Sequence, residues 1–124
     1  MPLRITLGQL LHDCAARFGE RPCITMAPSG ETLSYAGLES LVNRAAHGFR
    51  DGIAGGRLNA GSGHVAVMLE NGIPYLAMSY ALKKIDLVEV SINRAFRGPA
   101  LARMINLTSC ETLLSSPAHF DALA

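Results

Sequence analysis

Apolar residues near the start of the chain recur every three or four positions, which is the spacing of one face of a helix. Thr6, a residue common at helix N-caps, precedes them, and Gly19, common at helix ends, follows them. This pattern predicts an amphipathic helix that packs through one face against the rest of the molecule. The apolar positions are Leu7, Leu10, Leu11, Cys14, Ala15 and Phe18.

A small hairpin and a second helix are predicted next. Residues 22–26 and 31–34 have strand-like composition, and the turn residues Pro-Ser-Gly at 28–30 separate them. Ser34 is placed to open the second helix, and Gly52 is placed to end it. The predicted buried face of that helix consists of Leu38, Leu41, Val42, Ala45, Ala46 and Phe49.

From residue 64 onward, strand patterns alternate with helix patterns. HVAVML (64–69) is a continuous apolar run, typical of a strand buried on both faces of a parallel sheet, and LVEVSI (87–92) is predicted as a second central strand. Asn71 is expected to cap the helix between them, and Pro99 to start a further helix before a third strand at 111–116. This alternation predicts a parallel βαβαβ sheet with right-handed crossovers, preceded by the N-terminal helix and the hairpin.

The composition narrows the class of protein. The chain has 124 residues, of which 49% are hydrophobic and 17% are charged, whereas about 25% of residues are charged in soluble domains. Either the core is unusually complete, or part of the surface is made for contact with another protein surface. The formal net charge is +1 and the basic residues are scattered, so the sequence predicts neither nucleic-acid binding nor, from its short apolar runs, a membrane span.

The cysteines and histidines predict no metal site. The cysteines number three and form no CxxC pair, which argues against both a disulfide framework and zinc. We therefore predict reduced, mostly buried thiols in a cytoplasmic protein. The four histidines have no partners at metal-ligand spacing, and the polar residues of the first turns, such as His12 and Asp13, argue against a secretory signal.

Three other groups of residues have the composition of a phosphate-binding or catalytic site but not its sequence context. The glycine-rich segment 52–63 resembles a phosphate loop, but such a loop follows a strand and opens a helix, whereas here a strand follows; we interpret it as a flexible loop. Ser115 and Ser116 lack a glycine elbow and a base. Asp86 and Glu89 have an odd spacing that would not place them on one face of a strand. The sequence thus offers no catalytic, cofactor-binding or metal-binding residue.

The segment VEVSINRAFRG (88–98) is compatible with two interpretations, a ligand-binding site or a structural turn. Asn93 and Arg94 follow a predicted strand, and ligands of open α/β sheets bind beyond the carboxyl ends of strands. The same residues, placed before a helix that begins near Pro99, are also ordinary turn and capping residues.

Three segments together resemble the N-terminal region of the acyl-CoA synthetases, members of the adenylate-forming AMP-dependent synthetase and ligase superfamily. They are TLSYAGLESLVNRAAHGFRDGI (32–53), HVAVMLENGIPYLAMSYALKK (64–84) and VEVSINRAFRGPALARMINLTSCETLLSS (88–116). The resemblance is greatest to bacterial fatty-acyl or crotonobetaine/carnitine-type CoA ligases. It implies that 1–124 is a single partial domain, the N-terminal portion of the large domain of such a ligase.

The resemblance implies a two-step parent reaction that uses ATP, Mg²⁺ and CoA. The phosphate loop ending in Pro-Lys-Gly, the Thr-Glu motif, the ribose-binding Asp and the C-terminal catalytic Lys of the family have no match in this sequence. We therefore expect an N-terminal fragment that is inactive and binds no cofactor alone, with the remainder of the ligase as its partner. The alternative is a stand-alone interaction module that forms a homo-oligomer.

The resemblance also assigns structural roles at one junction. It implies that Asn93 fixes the turn after the strand and that Arg97 and Gly98 lead into the next helix. The chain departs from the family at Asp86, where the family usually has Gly, and at Ser91, which is often Pro. Gly adopts positive φ readily at a helix end, and Asp does so at a cost of about 1 kcal/mol. Asp86 therefore indicates either that the constraint on this backbone position is relaxed in this chain or that the junction between the helix and the strand is changed.

Overall fold

Four helices and five strands make up residues 4–119, the part of the chain that the computed structural model describes. In chain order they are α1 (Leu7–Phe18), β1 (Pro22–Thr25), β2 (Thr32–Ser34), α2 (Tyr35–Ala54), β3 (His64–Met68), α3 (Ile73–Lys84), β4 (Val88–Ser91), α4 (Gly98–Leu107) and β5 (Leu113–Ser115). The predicted element order and the α/β class are confirmed, and most strands are one or two residues shorter than predicted.

The predicted caps hold the first two helices. The Thr6 hydroxyl accepts a hydrogen bond from the Gln9 amide at 3.1 Å, and the Ser34 hydroxyl accepts one from the Gly37 amide at 3.0 Å. Each bond satisfies one of the backbone N–H groups that have no partner in the first turn of a helix. Strands β1 and β2 pair antiparallel between these helices, so the hairpin is confirmed.

The second helix continues past its predicted end at Gly52. It ends at Ala54, and Gly55 forms the C-cap. A Cβ on Gly52 would lie 2.7 Å from Cδ1 of Leu58, so a larger residue here would displace the Leu58 side chain of the loop that folds back onto the helix. Sequence reasoning assigned this glycine to the helix end, whereas its role is close packing.

The three-stranded sheet is parallel and has the strand order β4-β3-β5. Strand β3 is central, which explains why its apolar run has no polar interruption. Strand β4 was predicted to be central and instead forms an edge. Its sequence is consistent with that place, because Glu89 and Ser91 alternate with Val88 and Val90 along the strand.

The two faces of β3 are covered by different helices. On one face, Val65 and Val67 pack against α2 and α3, through Phe49 and Leu82. On the opposite face, Ala66 and Met68 pack with Ile92, which directly follows β4, and with Leu101 of α4. A third cluster joins α1 to α2 and α3 and consists of Leu11, Leu38, Val42, Ala46, Ala77 and Ala81. The sheet thus lies between helices, as right-handed crossovers require when the chain turns back past β3.

The ends of α3 differ from the prediction in one respect. Gly72, not Asn71, is the N-cap and offers no side-chain hydrogen bond. Pro74 lies in the first turn, where its lack of an N–H costs nothing. At the other end Asp86 has φ of 60° and the Leu87 amide donates to the Leu82 carbonyl at 2.9 Å. This is the Schellman arrangement, so the junction keeps its left-handed geometry although Asp replaces Gly.

No helix within residues 4–119 combines the length and the apolar content needed to cross a membrane.

Candidate functional site at the carboxyl ends of the strands

The junction after β4 is closed by its own hydrogen bonds. The Asn93 side-chain oxygen accepts from the Ala95 amide at 2.8 Å, and the Asn93 carbonyl accepts from the Phe96 amide at 3.1 Å. The Arg97 guanidinium donates to the carbonyls of Arg94 and Phe96, and Gly98 begins α4 with φ of 50°. These bonds are made within a turn and before a helix, and they direct neither Asn93 nor Arg97 toward a ligand.

Three polar residues that follow the three parallel strands lie together at the carboxyl edge of the sheet: Glu70 after β3, Arg94 after β4 and His119 after β5. The Glu70 carboxylate is 3.5 Å from the Arg94 guanidinium and 4.0 Å from Nε2 of His119. Arg94 and Glu70 are about half-exposed, whereas His119 is buried. Topology brings them together because parallel strands end at the same edge of the sheet.

The serines at the end of β5 have no catalytic surroundings. The hydroxyls of Ser115 and Ser116 are buried, and neither has a hydrogen-bond partner among residues 4–119; the same is true of Nε2 of His119. Without a bonded base, a serine hydroxyl is not activated as a nucleophile. His119 itself is buried, and its Nε2 has no hydrogen-bond partner among the described residues.

The glycine-rich loop lies at the opposite, amino edge of the sheet. It leads directly into β3, as predicted, so it does not open a helix as a phosphate loop does. The Ser62 amide donates to the Glu111 carboxylate at 2.9 Å, the Asn59 amide donates to the Thr112 hydroxyl at 3.2 Å, and that hydroxyl donates to the Asn59 carbonyl at 2.7 Å. Three hydrogen bonds thus connect the loop to the segment before β5, and its flexibility stays a prediction.

The most extensive polar cluster surrounds Glu89, which sequence reasoning had set aside. Three donors come from successive turns of α3: the Tyr75 hydroxyl at 2.7 Å, the Ser79 hydroxyl at 2.5 Å and the Lys83 ammonium at 2.9 Å. The Ser91 hydroxyl adds a fourth hydrogen bond at 3.0 Å. The available signal was the spacing of Tyr75, Ser79 and Lys83, because residues four apart lie on one face of a helix.

These contacts keep Glu89 ionised. Burial raises the pKa of Glu89, but the hydrogen bonds from Ser79, Lys83, Tyr75 and Ser91 outweigh burial and lower the pKa from 4.5 to about 2. A carboxylate that accepts four hydrogen bonds, one of them from an ammonium ion, is a poor proton acceptor. The cluster is therefore suited to holding α3 against β4 and not to acid–base catalysis.

A second ion cluster joins α1, α2 and α3. One oxygen of Glu39 lies 2.6 Å from Nζ of Lys84, 3.1 Å from Nδ1 of His12 and 3.3 Å from Nδ2 of Asn43. Burial raises the pKa of Glu39, and the contacts with Lys84, His12 and Asn43 more than compensate, so the pKa lies below its usual value. In both clusters a lysine ammonium is paired with a carboxylate, Lys84 with Glu39 and Lys83 with Glu89, and is therefore not free to bind an anion.

Metal-ligating residues do not assemble within residues 4–119, where no three His, Cys, Asp or Glu side chains are placed to hold an ion. Cys14, Cys23 and Cys110 are free thiols, and each is partly buried. Burial, with a smaller contribution from Cys14, raises the pKa of the Cys23 thiol, which lowers its reactivity.

Known proteins share both the sequence pattern and the fold. The 4-coumarate–CoA ligase 3 of Oryza sativa subsp. japonica is 34% identical over 76 residues, which are 61% of this chain and 13% of that protein. The long-chain-fatty-acid-CoA ligase of Archaeoglobus fulgidus is 22% identical with a TM-score of 0.83, over 99% of this chain and 25% of that one. The N-terminal domain of a Mycobacterium tuberculosis protein, FACL13, is 20% identical with a TM-score of 0.80, over 97% of this chain and 30% of that one.

The chain spans only 13% to 19% of the lengths of the curated relatives that it matches. Within the chain, however, the family model described as "AMP-binding enzyme" covers residues 11–123. The N-terminal subdomain of NpsA from Klebsiella oxytoca likewise matches 90% of this chain with a TM-score of 0.79 at 16% identity. The chain therefore belongs to the AMP-binding enzyme family and has the fold of the N-terminal region of its adenylate-forming ligases.

Proposed function

We propose that this chain is the N-terminal part of an acyl-CoA ligase and that it does not catalyse the ligase reaction by itself. One observation carries this proposal. The family match covers residues 11–123 of the chain, yet the chain corresponds to less than a fifth of its curated relatives. Most of the ligase sequence, and with it the family's nucleotide-binding motifs, has no counterpart in these 124 residues.

In the proposed parent reaction, a carboxylate oxygen attacks the α-phosphorus of ATP and releases pyrophosphate, which leaves an acyl-adenylate. The thiol of CoA then attacks the acyl carbonyl and displaces AMP, giving a thioester. Among the relatives named as CoA ligases, one is named for 4-coumarate and one for long-chain fatty acids. A carboxylic acid is the substrate class that this family membership supports.

Both lysines of the chain, and the arginine at the carboxyl edge of the sheet, lie beside carboxylates. Phosphoryl and adenylyl transfer require cations and N–H donors arranged around the phosphates before reaction. Lys83 and Lys84 are paired with Glu89 and Glu39, and Arg94 lies beside Glu70. We therefore propose that ATP, Mg²⁺ and CoA are bound by the parent ligase and not by this chain alone.

The chain's own contribution is the scaffold. We propose that Asn93 holds the turn between β4 and α4 and that Arg97 and Gly98 set the direction of α4. Support comes from the Asn93 bond to the Ala95 amide and from the positive φ of Gly98. The free thiols support a reducing compartment, which we take to be the cytoplasm.

Binding measurements test the inactive-fragment proposal. Isothermal titration of the purified chain with ATP plus Mg²⁺, and separately with CoA, is expected to give no saturable heat. Saturable binding of either ligand with a Kd below about 1 mM, corresponding to about 4 kcal/mol of binding free energy, contradicts the proposal that the cofactor sites lie elsewhere in the ligase.

A stand-alone interaction module is the second candidate, and the number of polar and apolar clusters formed inside the chain favours it. The Glu89 and Glu39 clusters and three apolar clusters are formed within residues 4–119. Light scattering coupled to size-exclusion chromatography separates the two candidates. A defined, stable oligomer supports the module, whereas aggregation with binding of the dye ANS supports a fragment with uncovered apolar surface.

A further inference from the structure

We propose that the Asn71–Gly72 bond is a site of spontaneous covalent modification. The Gly72 amide nitrogen attacks the Asn71 side chain, expels ammonia and leaves aspartate or isoaspartate at position 71. The site lies between β3 and α3, at the carboxyl edge of the sheet. The inference goes beyond the proposed function and does not depend on it, and water is the only co-reactant that the chemistry needs.

The sequence singles out this asparagine from the others. Five asparagines occur in the chain, and Asn71 alone precedes a glycine. A glycine has no β-carbon to shield its own nitrogen, and its backbone rotates freely enough to close a five-membered ring. The other four are followed by larger residues and are Asn43, Asn59, Asn93 and Asn106.

The side chain of Asn71 is free to react. Its position predicted an N-cap of α3, but Gly72 occupies the cap and no side-chain hydrogen bond forms there. Asn71 is exposed, and its amide group has no hydrogen-bond partner within residues 4–119. An amide group that is held by nothing can rotate so that its Cγ faces the next backbone nitrogen.

The attacking nitrogen is free as well. Gly72 is extended, with φ of 160° and ψ of −175°. Its carbonyl accepts from the Leu76 amide at 3.2 Å, whereas its own N–H has no partner in the part of the chain that the structure describes, as is usual at the start of a helix. Loss of the amide proton therefore breaks no hydrogen bond of the fold.

The other asparagines are held away from such a reaction. Asn43 is bonded within the Glu39 cluster. The side-chain oxygens of Asn59 and Asn93 each accept from the backbone amide two residues further on. Asn106 lies inside α4, where the helical backbone opposes the ring closure. Both the sequence context and the structure thus restrict the reaction to one position.

The reaction is balanced with water alone. A bond forms between the Gly72 nitrogen and Cγ of Asn71, the bond from Cγ to the NH₂ group breaks, and ammonia leaves with the proton of the Gly72 amide. Water then opens the cyclic imide. Addition at the Cγ carbonyl gives aspartate, and addition at the main-chain carbonyl gives isoaspartate. In either product an NH₂ group is replaced by OH, which raises the mass by about 1 Da.

The two products affect α3 in opposite directions. The first turn of α3 has no acidic residue, so a carboxylate at position 71 interacts favourably with the positive end of the helix dipole. Isoaspartate instead inserts a methylene group into the main chain directly before Gly72. That insertion displaces the Gly72 carbonyl, which accepts from the Leu76 amide. The modification therefore changes both the charge and the backbone at the carboxyl edge of the sheet.

Peptide mass spectrometry of the aged protein tests the site. The folded chain is incubated in mildly alkaline buffer and digested with trypsin, which releases residues 58–83 as one peptide because no Lys or Arg lies between Arg57 and Lys83. That peptide also contains Asn59, the internal control. We expect Asn71 to convert at least about tenfold faster than Asn59, the ratio that a barrier lower by about 1.4 kcal/mol gives. An isoaspartyl methyltransferase should methylate the aged chain at position 71.

Gly72→Ala is the matched variant. A Cβ at Gly72 would lie 3.7 Å from Cδ of Pro74 and 3.8 Å from Cε of Met26, which are ordinary contact distances, so we expect the fold to be kept. Conversion at Asn71 should slow at least about tenfold. Equal rates in wild type and Gly72→Ala, conversion at Asn59 as fast as at Asn71, or no conversion at Asn71 in the folded wild-type chain overturns the proposal.

Discussion

Replacement of Glu89 by Gln is the substitution from which we expect the largest loss of stability. The change keeps the shape of the side chain and removes its charge. The amide oxygen can still accept from Ser79 and Lys83, which bind one carboxylate oxygen in the native protein, but the NH₂ then faces the Tyr75 and Ser91 hydroxyls, which donate to the other oxygen. The substitution therefore removes two accepted hydrogen bonds and leaves the Lys83 ammonium without its carboxylate.

The magnitude follows from the pKa of Glu89, which is lowered from 4.5 to about 2. Each pKa unit corresponds to about 1.4 kcal/mol, so ionised Glu89 contributes on the order of 3 kcal/mol relative to its protonated form. The Glu89 side chain is 10% exposed and that of Lys83 is 30% exposed, so water reaches the lysine after substitution and reduces the cost. We expect Glu89→Gln to lower the free energy of unfolding by about 2–3 kcal/mol.

Urea unfolding monitored by circular dichroism measures this loss. With an m-value of about 1.5 kcal/mol/M, the midpoint is expected to fall by roughly 1.3–2 M at pH 7. The folded-state pKa of Glu89 is depressed, so the contribution is present above pH 4.5 and disappears as the pH falls toward 2. The difference between wild type and Glu89→Gln must shrink over that range.

Glu70→Gln is the matched control, because Glu70 is 60% exposed and 3.5 Å from Arg94, and we expect it to change stability by less than about 0.5 kcal/mol. An equally small effect of Glu89→Gln, or a large effect that persists unchanged at pH 2, would refute the assignment of Glu89 as an ionised link between α3 and β4.

Three further substitutions test local geometry by thermal or urea unfolding. Asp86→Gly is expected to stabilise by about 0.5 kcal/mol, because φ of 60° suits glycine and the larger entropy of the unfolded chain offsets part of the gain; destabilisation would contradict the Schellman geometry. Asn93→Ala should cost about 1 kcal/mol through loss of the bond to the Ala95 amide, and an unchanged melting temperature would count against its role in the turn. Ser34→Ala should cost about 1 kcal/mol as a lost N-cap, whereas the same change at exposed Ser29 should cost less than half as much.

The fold could be predicted from the sequence largely because local signals agreed with tertiary structure. Thr6 and Ser34 cap helices as their positions indicated, and the apolar run of β3 is buried on both faces. Errors arose where one residue type serves two purposes. Gly52 indicated a helix end but lies inside the helix, packed closely against Leu58, and the strand pattern around Val90 did not distinguish a central strand from an edge.

The polar clusters were not predicted because they depend on tertiary contacts. Glu89 is separated by ten residues from Ser79 and meets it only when β4 docks against α3. Glu39 and Lys84 are 45 positions apart and meet across two helices. The carboxyl-edge group of Glu70, Arg94 and His119 likewise requires the strand order β4-β3-β5. A single sequence shows the residue types in such clusters but not which distant residues meet.

Carboxylate-dependent ATP–pyrophosphate exchange by the purified chain tests the central claim most directly. The assay contains ATP, Mg²⁺, labelled pyrophosphate and a panel of aromatic and fatty carboxylates. The account predicts label incorporation into ATP at the background rate for every carboxylate, because the chain provides a scaffold without the groups that bind the nucleotide. Exchange above background that depends on the carboxylate and co-purifies with the chain would contradict it.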